Sequence, residues 1–149
     1  MVKHKLFKYQ TLLDEFIDQG CQLPALYSPN NMYACRFAFY SCERVNHLPQ
    51  YISTPKRMLT DIKRGKVDTS LLALSCFDTG EKAVAFYNNL RKAFKNVASS
   101  IGDSLAEGIL TDEDGLKTDT SKNGHFDFYE YQECDLNKTF QITKQLKEV

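Results

Sequence analysis

Tryptophan is absent from this chain of 149 residues, and so are the motifs by which a single sequence most often announces its chemistry. There is no GxSxG, HExxH, P-loop or CxxC, which removes most of the reaction classes that can be read from one sequence. No apolar stretch approaches the ~18 residues of a membrane span, and the opening MVKHKLFKYQ lacks the uninterrupted apolar core of a signal peptide. A soluble, cytoplasmic protein without a membrane partner is expected. Five cysteines (Cys21, Cys35, Cys42, Cys76, Cys134) form an odd count with no close pair. That argues against a complete disulfide framework and against a zinc ribbon, and in favour of reduced thiols.

What is present is enough apolar volume for a core. Hydrophobic residues make up 42% of the chain, and ten Phe and eight Tyr supply the bulk that Trp does not. A chain of this length buries roughly two thirds of its unfolded surface, so one domain spanning residues 1–149 is expected. Net charge is zero but unevenly spread: residues 1–98 hold 14 Lys/Arg against 8 Asp/Glu, and residues 99–149 hold 5 against 11. Opposed halves of this kind suit head-to-tail association, docking of the two halves on each other or two different partners, with an unevenly charged solvated surface as the plainer explanation.

Periodicity predicts the elements. Leu6, Tyr9, Leu12, Leu13, Phe16 and Ile17 recur at helical spacing over residues 5–18, and Gly20 follows as a terminator. Residues 32–40 (MYACRFAFY) read as a strand with Tyr33, Cys35, Phe37 and Phe39 on one face, which leaves Arg36 a lone charge among small apolar residues on the other. Thr54 and Pro55 suit the start of a second helix carrying Met58, Leu59 and Ile62, stopped by Gly65. Residues 69–77 (TSLLALSCF) read as a strand covered on both faces, and residues 81–98 as the longest helix, introduced by Asp78 and Glu81. Shorter strand candidates follow at 105–110, 126–131 and 139–143. The expected fold class is α+β: a mixed or antiparallel sheet packed by one long helix (about 80–98) and two shorter ones.

Residues 119–130, DTSKNGHFDFYE, place Asp119, Ser121, Asn123, Asp127 and Glu130 at positions one, three, five, nine and twelve, with Gly124 at six. The spacing resembles the calcium loop of the EF-hand family, in which these positions supply oxygen ligands around a sharp glycine turn. The flanking TDEDGLKT has no helical periodicity, however. The competing and preferred reading is a hairpin turned at Asn123-Gly124 as a type I′ turn, with His125 a strand residue beside it.

Lys56, Arg57, Lys63, Arg64 and Lys66 surround a single Asp61, and the first four share helix edges at a spacing of seven. Such an edge suits a protein or other anionic partner; nucleic acid is less favoured, because no nucleic-acid motif accompanies it. Cys42 near His47 and Cys76 beside Ser75 are nucleophile candidates, with buried free thiols as the commoner explanation. Finally, Arg36 in YACRF, Ser75 in LALSCF and Glu130 in FYEY (or Glu107) make the chain similar to the ADP-ribosyltransferase families. That likeness implies an Arg holding the phosphates of NAD, a strand Ser and a carboxylate that stabilises the cationic ribose. Cys76 and Phe77 stand where that pattern places hydroxyls. The leading expectation is a non-catalytic interaction module with no cofactor, contacting its partner through the basic edge at 56–66. An NAD-using transferase and a single calcium loop are the alternatives.

Overall fold

The computed structural model describes residues 5–41, 46–53 and 68–146. In chain order these form α1 (Gln10–Asp18), β1 (Met32–Ala38), α2 (Gln50–Ser53), a 3-10 turn at Thr69–Leu72, β2 (Leu74–Phe77), α3 (Gly80–Ala93), α4 (Val97–Ser100), β3 (Ser104–Leu110), β4 (Gly115–Lys117), β5 (His125–Glu130), α5 (Leu136–Thr139) and β6 (Gln141–Gln145). The expected α+β class holds. The strands make one six-stranded antiparallel sheet in the order β4-β5-β2-β1-β3-β6, so the apolar stretch that becomes β2 lies in the interior.

Strand alternation sorts side chains onto two faces. On one, Ala34, Ala38, Leu74, Cys76, Ala106, Leu110, Phe126 and Phe128 are covered by Leu136 and Phe140 around α5. On the other, Cys35, Phe77 and Leu105 pack beneath Ala83, Tyr87 and Val97 of α3 and α4. Tyr87 reaches full burial because its hydroxyl donates to the Gly102 carbonyl at 2.9 Å, which leaves no polar atom stranded. Gly102 itself sits at φ 128°, and a Cβ there would run into the Ala38 backbone. Only glycine turns the chain from α4 into β3 so close to β1. A third cluster, Leu13, Phe16, Tyr51 and Leu72, joins α1 and α2 to the 3-10 turn.

Several elements depart from expectation for identifiable reasons. The first helix begins at Gln10 and not at residue 5, because residues 6–8 bond to the end of β5 and the residues just after it: the Lys8 amide donates to the Glu130 carbonyl at 2.8 Å, the Gln132 amide donates to the Leu6 carbonyl at 2.9 Å, and Phe7 stacks on Tyr131. The segment 69–77 is strand only in its second half. Its first half curls because the Asp68 carboxylate accepts the Ser70 amide and caps the turn. Helix α3 ends at Ala93 and not at 98: Phe94 is extended, and Val97 is buried from the separate α4. Its N-cap is Thr79, whose hydroxyl accepts the Lys82 amide, in place of Asp78. Residues 139–143 divide between α5 and β6. The helix expected from Pro55 lies outside the described residues.

The hairpin turn at 121–124 is real but of another type. Gly124 alone is left-handed (φ 81°), its amide donates to the Ser121 carbonyl at 2.9 Å, and the Ser121 amide donates to the His125 carbonyl at 2.8 Å. That is a type I turn closed by a left-handed glycine, and not the I′ turn that would require positive φ at Asn123 as well.

Candidate functional site: a split in the sheet

Strand β1 is unequally paired. All seven of its residues are in register with β3, from Met32↔Leu110 to Ala38↔Ser104, whereas Cys35↔Phe77 is its one registered pair with β2. Beyond that pair the two strands part, and a cavity of about 760 Å³ occupies the opening. Its walls combine Arg36 and Phe37 of β1, the 46–50 segment, Ser75 of β2, Phe86 and Leu90 of α3, and His125 and Asp127 of β5. This volume lies in the range that holds small organic ligands.

Side chains do what the missing ladder would have done. Arg36, 8% exposed, donates from Nη1 to the Ser75 carbonyl at 2.6 Å and from Nε to His47 Nδ1 at 3.1 Å. Asn46 pairs with the end of β1 as a strand would: its Oδ1 accepts the Phe39 amide at 2.7 Å and its Nδ2 donates to the Phe39 carbonyl at 3.0 Å. His47 next to it has a left-handed backbone (φ 59°), a conformation that costs a non-glycine residue about 1–2 kcal/mol. Burial, then the Arg36 and Lys8 charges, push its pKa down to about 3. The imidazole is neutral, accepts at Nδ1 from Arg36, and rests against Phe140.

The opposite wall carries a hydroxyl and a base. In β2 every residue is buried except Ser75, which stands opposite Asp127 of β5, with His125 two residues away on the same face. Ser75 Oγ and His125 Nε2 are 2.6 Å apart, and the imidazole is set edge-on against Phe77. Asp127 Oδ1 is 3.7 Å from the same Nε2. The carboxylate therefore sits beside the Ser-His contact and not behind the ring at Nδ1, as it does in a serine-protease triad. Burial raises the Asp127 pKa and the His125 charge opposes that shift.

The residues singled out from sequence separate into groups. Arg36 and Ser75 meet, but through the serine's carbonyl; alternation places the Ser75 hydroxyl on the face opposite Glu130. Glu130 belongs elsewhere: it accepts from Lys8 Nζ at 2.6 Å, and Lys8 also donates to the Cys134 carbonyl at 2.5 Å. Burial raises the Glu130 pKa in spite of that partner, and its Oε1 has no hydrogen bond beside a small void lined by Tyr9 and Tyr129. Glu107 accepts from the hydroxyls of Thr143 and Tyr33, which hold its carboxyl below the usual range. Both carboxylates bind neighbouring elements of the fold.

Of the calcium-loop positions, Asp119, Ser121 and Asn123 lie in or beside the hairpin turn, while Asp127 and Glu130 are strand residues on opposite faces of β5. Among the described residues no group of three or more His, Cys, Asp or Glu is arranged to hold a metal. Lys56, Arg57, Lys63, Arg64 and Cys42 lie outside the described residues. Cys76 is fully enclosed, and burial pushes its thiol up to about 11, which withholds the thiolate that a nucleophile needs. No helix among the described residues is long and apolar enough to cross a membrane. His125 and Asp127 were missed as partners of Ser75 because the pairing is visible only once β5 is known to lie beside β2. Compared with models of protein families, with curated proteins and with solved structures, the chain matches none.

Proposed function

We propose that the opening between β1 and β2 binds a small ligand through a negatively charged group, a phosphate or carboxylate seated on Arg36, with the rest of the ligand against Phe37, Phe86 and Leu90. The observation that carries this reading is the company Arg36 keeps. Among the described residues its direct acceptors, the His47 ring, the Ser75 carbonyl and the Cys76 thiol, are all neutral, and the nearby carboxylate of Glu130 is taken by Lys8. A buried cation is costly unless an anion answers it, and the planar guanidinium offers further N–H donors in a fork that fits carboxylate or phosphate oxygens. The aromatic and aliphatic wall across the cavity supplies apolar surface for the remainder of a ligand. NAD, implied by the likeness to ADP-ribosyltransferases, is one candidate; Arg36 and Ser75 favour it, and Glu130 adds nothing to it.

The test is a melting-temperature titration with pyrophosphate, ADP and NAD. Saturation at about 100 times Kd adds about 2.7 kcal/mol, a rise of several degrees for a domain of this size. At least one of the three is expected to give that rise in the wild type, and Arg36→Gln to abolish it. If none of them moves the transition, or if the Arg36→Gln protein responds as the wild type does, the reading fails.

A further inference from the structure

We infer that Ser75 and His125 are a nucleophile and its general base, so that the cleft carries out acyl transfer from, or hydrolysis of, a small ester. This deepens the reading of the cleft as a small-ligand site and rests on it. Three features converge. The Ser75 hydroxyl is the one exposed position of an otherwise buried strand, and its Oγ lies 2.6 Å from His125 Nε2, the separation at which an imidazole takes a hydroxyl proton. The ring is held rather than loose: His125 is in β5, its amide donates to Ser121 Oγ, and its edge meets Phe77. Asp127, 3.7 Å from Nε2, places negative charge where the imidazolium would form.

Donors for the developing oxyanion face the same opening. In an antiparallel strand a residue's N–H and C=O point to one edge. The Ser75 carbonyl receives Arg36 across the split, so the Ser75 amide is directed there too, with no β1 residue registered opposite it. In the reaction Ser75 Oγ bonds to the ester carbonyl carbon while its proton passes to His125 Nε2. The alkoxide leaves and takes that proton, giving an alcohol and an acyl-serine. Water then attacks the acyl carbon, loses its proton to His125, and the released Ser75 oxygen recovers it. Ester and water are consumed, acid and alcohol are formed, and no oxidant or metal enters.

Diisopropyl fluorophosphate tests the pair, because the same Ser-to-imidazole transfer expels fluoride and leaves a covalent phosphoryl adduct. The wild-type protein is expected to gain one adduct, mapped by peptide mass to Ser75. Ser75→Ala should gain none there, and His125→Gln should label at least ~10²-fold more slowly, the contribution of a positioned base. Melting temperatures of both variants confirm that they are folded, and Ser75→Cys serves as a second variant if Ser75→Ala is not. Absence of the adduct in the wild type, an adduct only on other residues, or a rate unchanged in His125→Gln overturns the inference. The same wild-type preparation carried through the pyrophosphate, ADP and NAD titrations separates the two failures: a retained thermal response with no adduct removes the nucleophile alone, whereas an adduct with no thermal response to any of the three removes the Arg36 anion site alone.

Discussion

Strand β1 treats its two neighbours differently. Toward β3 it is sealed by seven registered pairs, and behind that ladder lie Leu105, Ala106 and Leu110, each at most 3% exposed. Toward β2 it holds one pair and then opens, and the backbone groups left over are met by Arg36 and Asn46. Among the described residues, the buried polar groups Arg36, Asn46 and His47 stand on the open side of β1 and Ser104 on the sealed side, while Thr69 of the 3-10 turn and Glu130 of β5 belong to neither flank. Antiparallel sheets close because unpaired amides and carbonyls are costly. Here side chains satisfy enough of them to hold the strands apart, at the cost of a buried cation and a left-handed histidine. The sealed side carries the closed ladder of the sheet, and the open side is where we propose that a ligand binds.

If that division is right, truncations on the two sides will differ. Leu110→Ala removes a fully buried side chain from the sealed flank and is expected to cost about 2–5 kcal/mol. Phe86→Ala removes a larger ring from the cavity wall, but Phe86 is 41% exposed and its loss should cost under about 1 kcal/mol. Urea denaturation of both variants decides the matter, and equal costs would break the comparison.

The ion pair of Lys8 with the buried Glu130 sharpens it. Lys8 is 28% exposed and Glu130 3%, so Lys8→Met strands a carboxylate that cannot easily regain water. The expected cost at pH 7 is about 2–3 kcal/mol, short of the ~3–5 kcal/mol for breaking a fully buried pair. The sign of the pH dependence is fixed. Burial raises the Glu130 pKa above its unfolded value of 4.5, so the folded state holds the proton more tightly, and this contribution is lost as pH rises through the folded pKa. Removing Lys8 raises that pKa further. The deficit of Lys8→Met should therefore be greatest near neutrality and shrink as pH falls toward 4.5, and denaturation curves at pH 7 and pH 5 that show a constant deficit would contradict it.

How much of this could be read from residues alone depends on the distance over which the cause acts. The alternation of β1, the isolation of Arg36 and the body of α3 are local, and periodicity found them. The end of α3 was misplaced because Val97 keeps helical spacing even though Phe94 has already left the helix. The curl at Thr69–Leu72 was hidden because its apolar side chains suit a strand equally well, and the deciding group is the Asp68 carboxylate. The site was half legible: Arg36 and Ser75 stood out, but His125 and Asp127 acquire meaning from the Ser75↔Asp127 register, and Glu130 loses its apparent role only when Lys8, 122 residues away in sequence, is found beside it.

His47 isolates what the opening costs. Its pKa of about 3 in the folded protein, set first by burial and then by Arg36, is far below the unfolded value of 6.5. Below pH 6.5 the unfolded chain therefore binds a proton that the native state refuses, so stability falls with falling pH, with a slope approaching about 1.4 kcal/mol per pH unit until the folded pKa is reached. His47→Asn removes the titration while keeping a residue that tolerates a φ of 59° and a carbonyl oxygen able to accept from Arg36 Nε. The variant loses the ring's contact with Phe140 and should be less stable by about 1 kcal/mol at pH 7.5, since the contact is partial. Its disadvantage should then narrow below pH 6.5, at a slope approaching about 1.4 kcal/mol per pH unit, and reverse near pH 6. Wild type and variant losing stability in parallel over that interval would show that the histidine held at the open edge of β1 is not what acid attacks first.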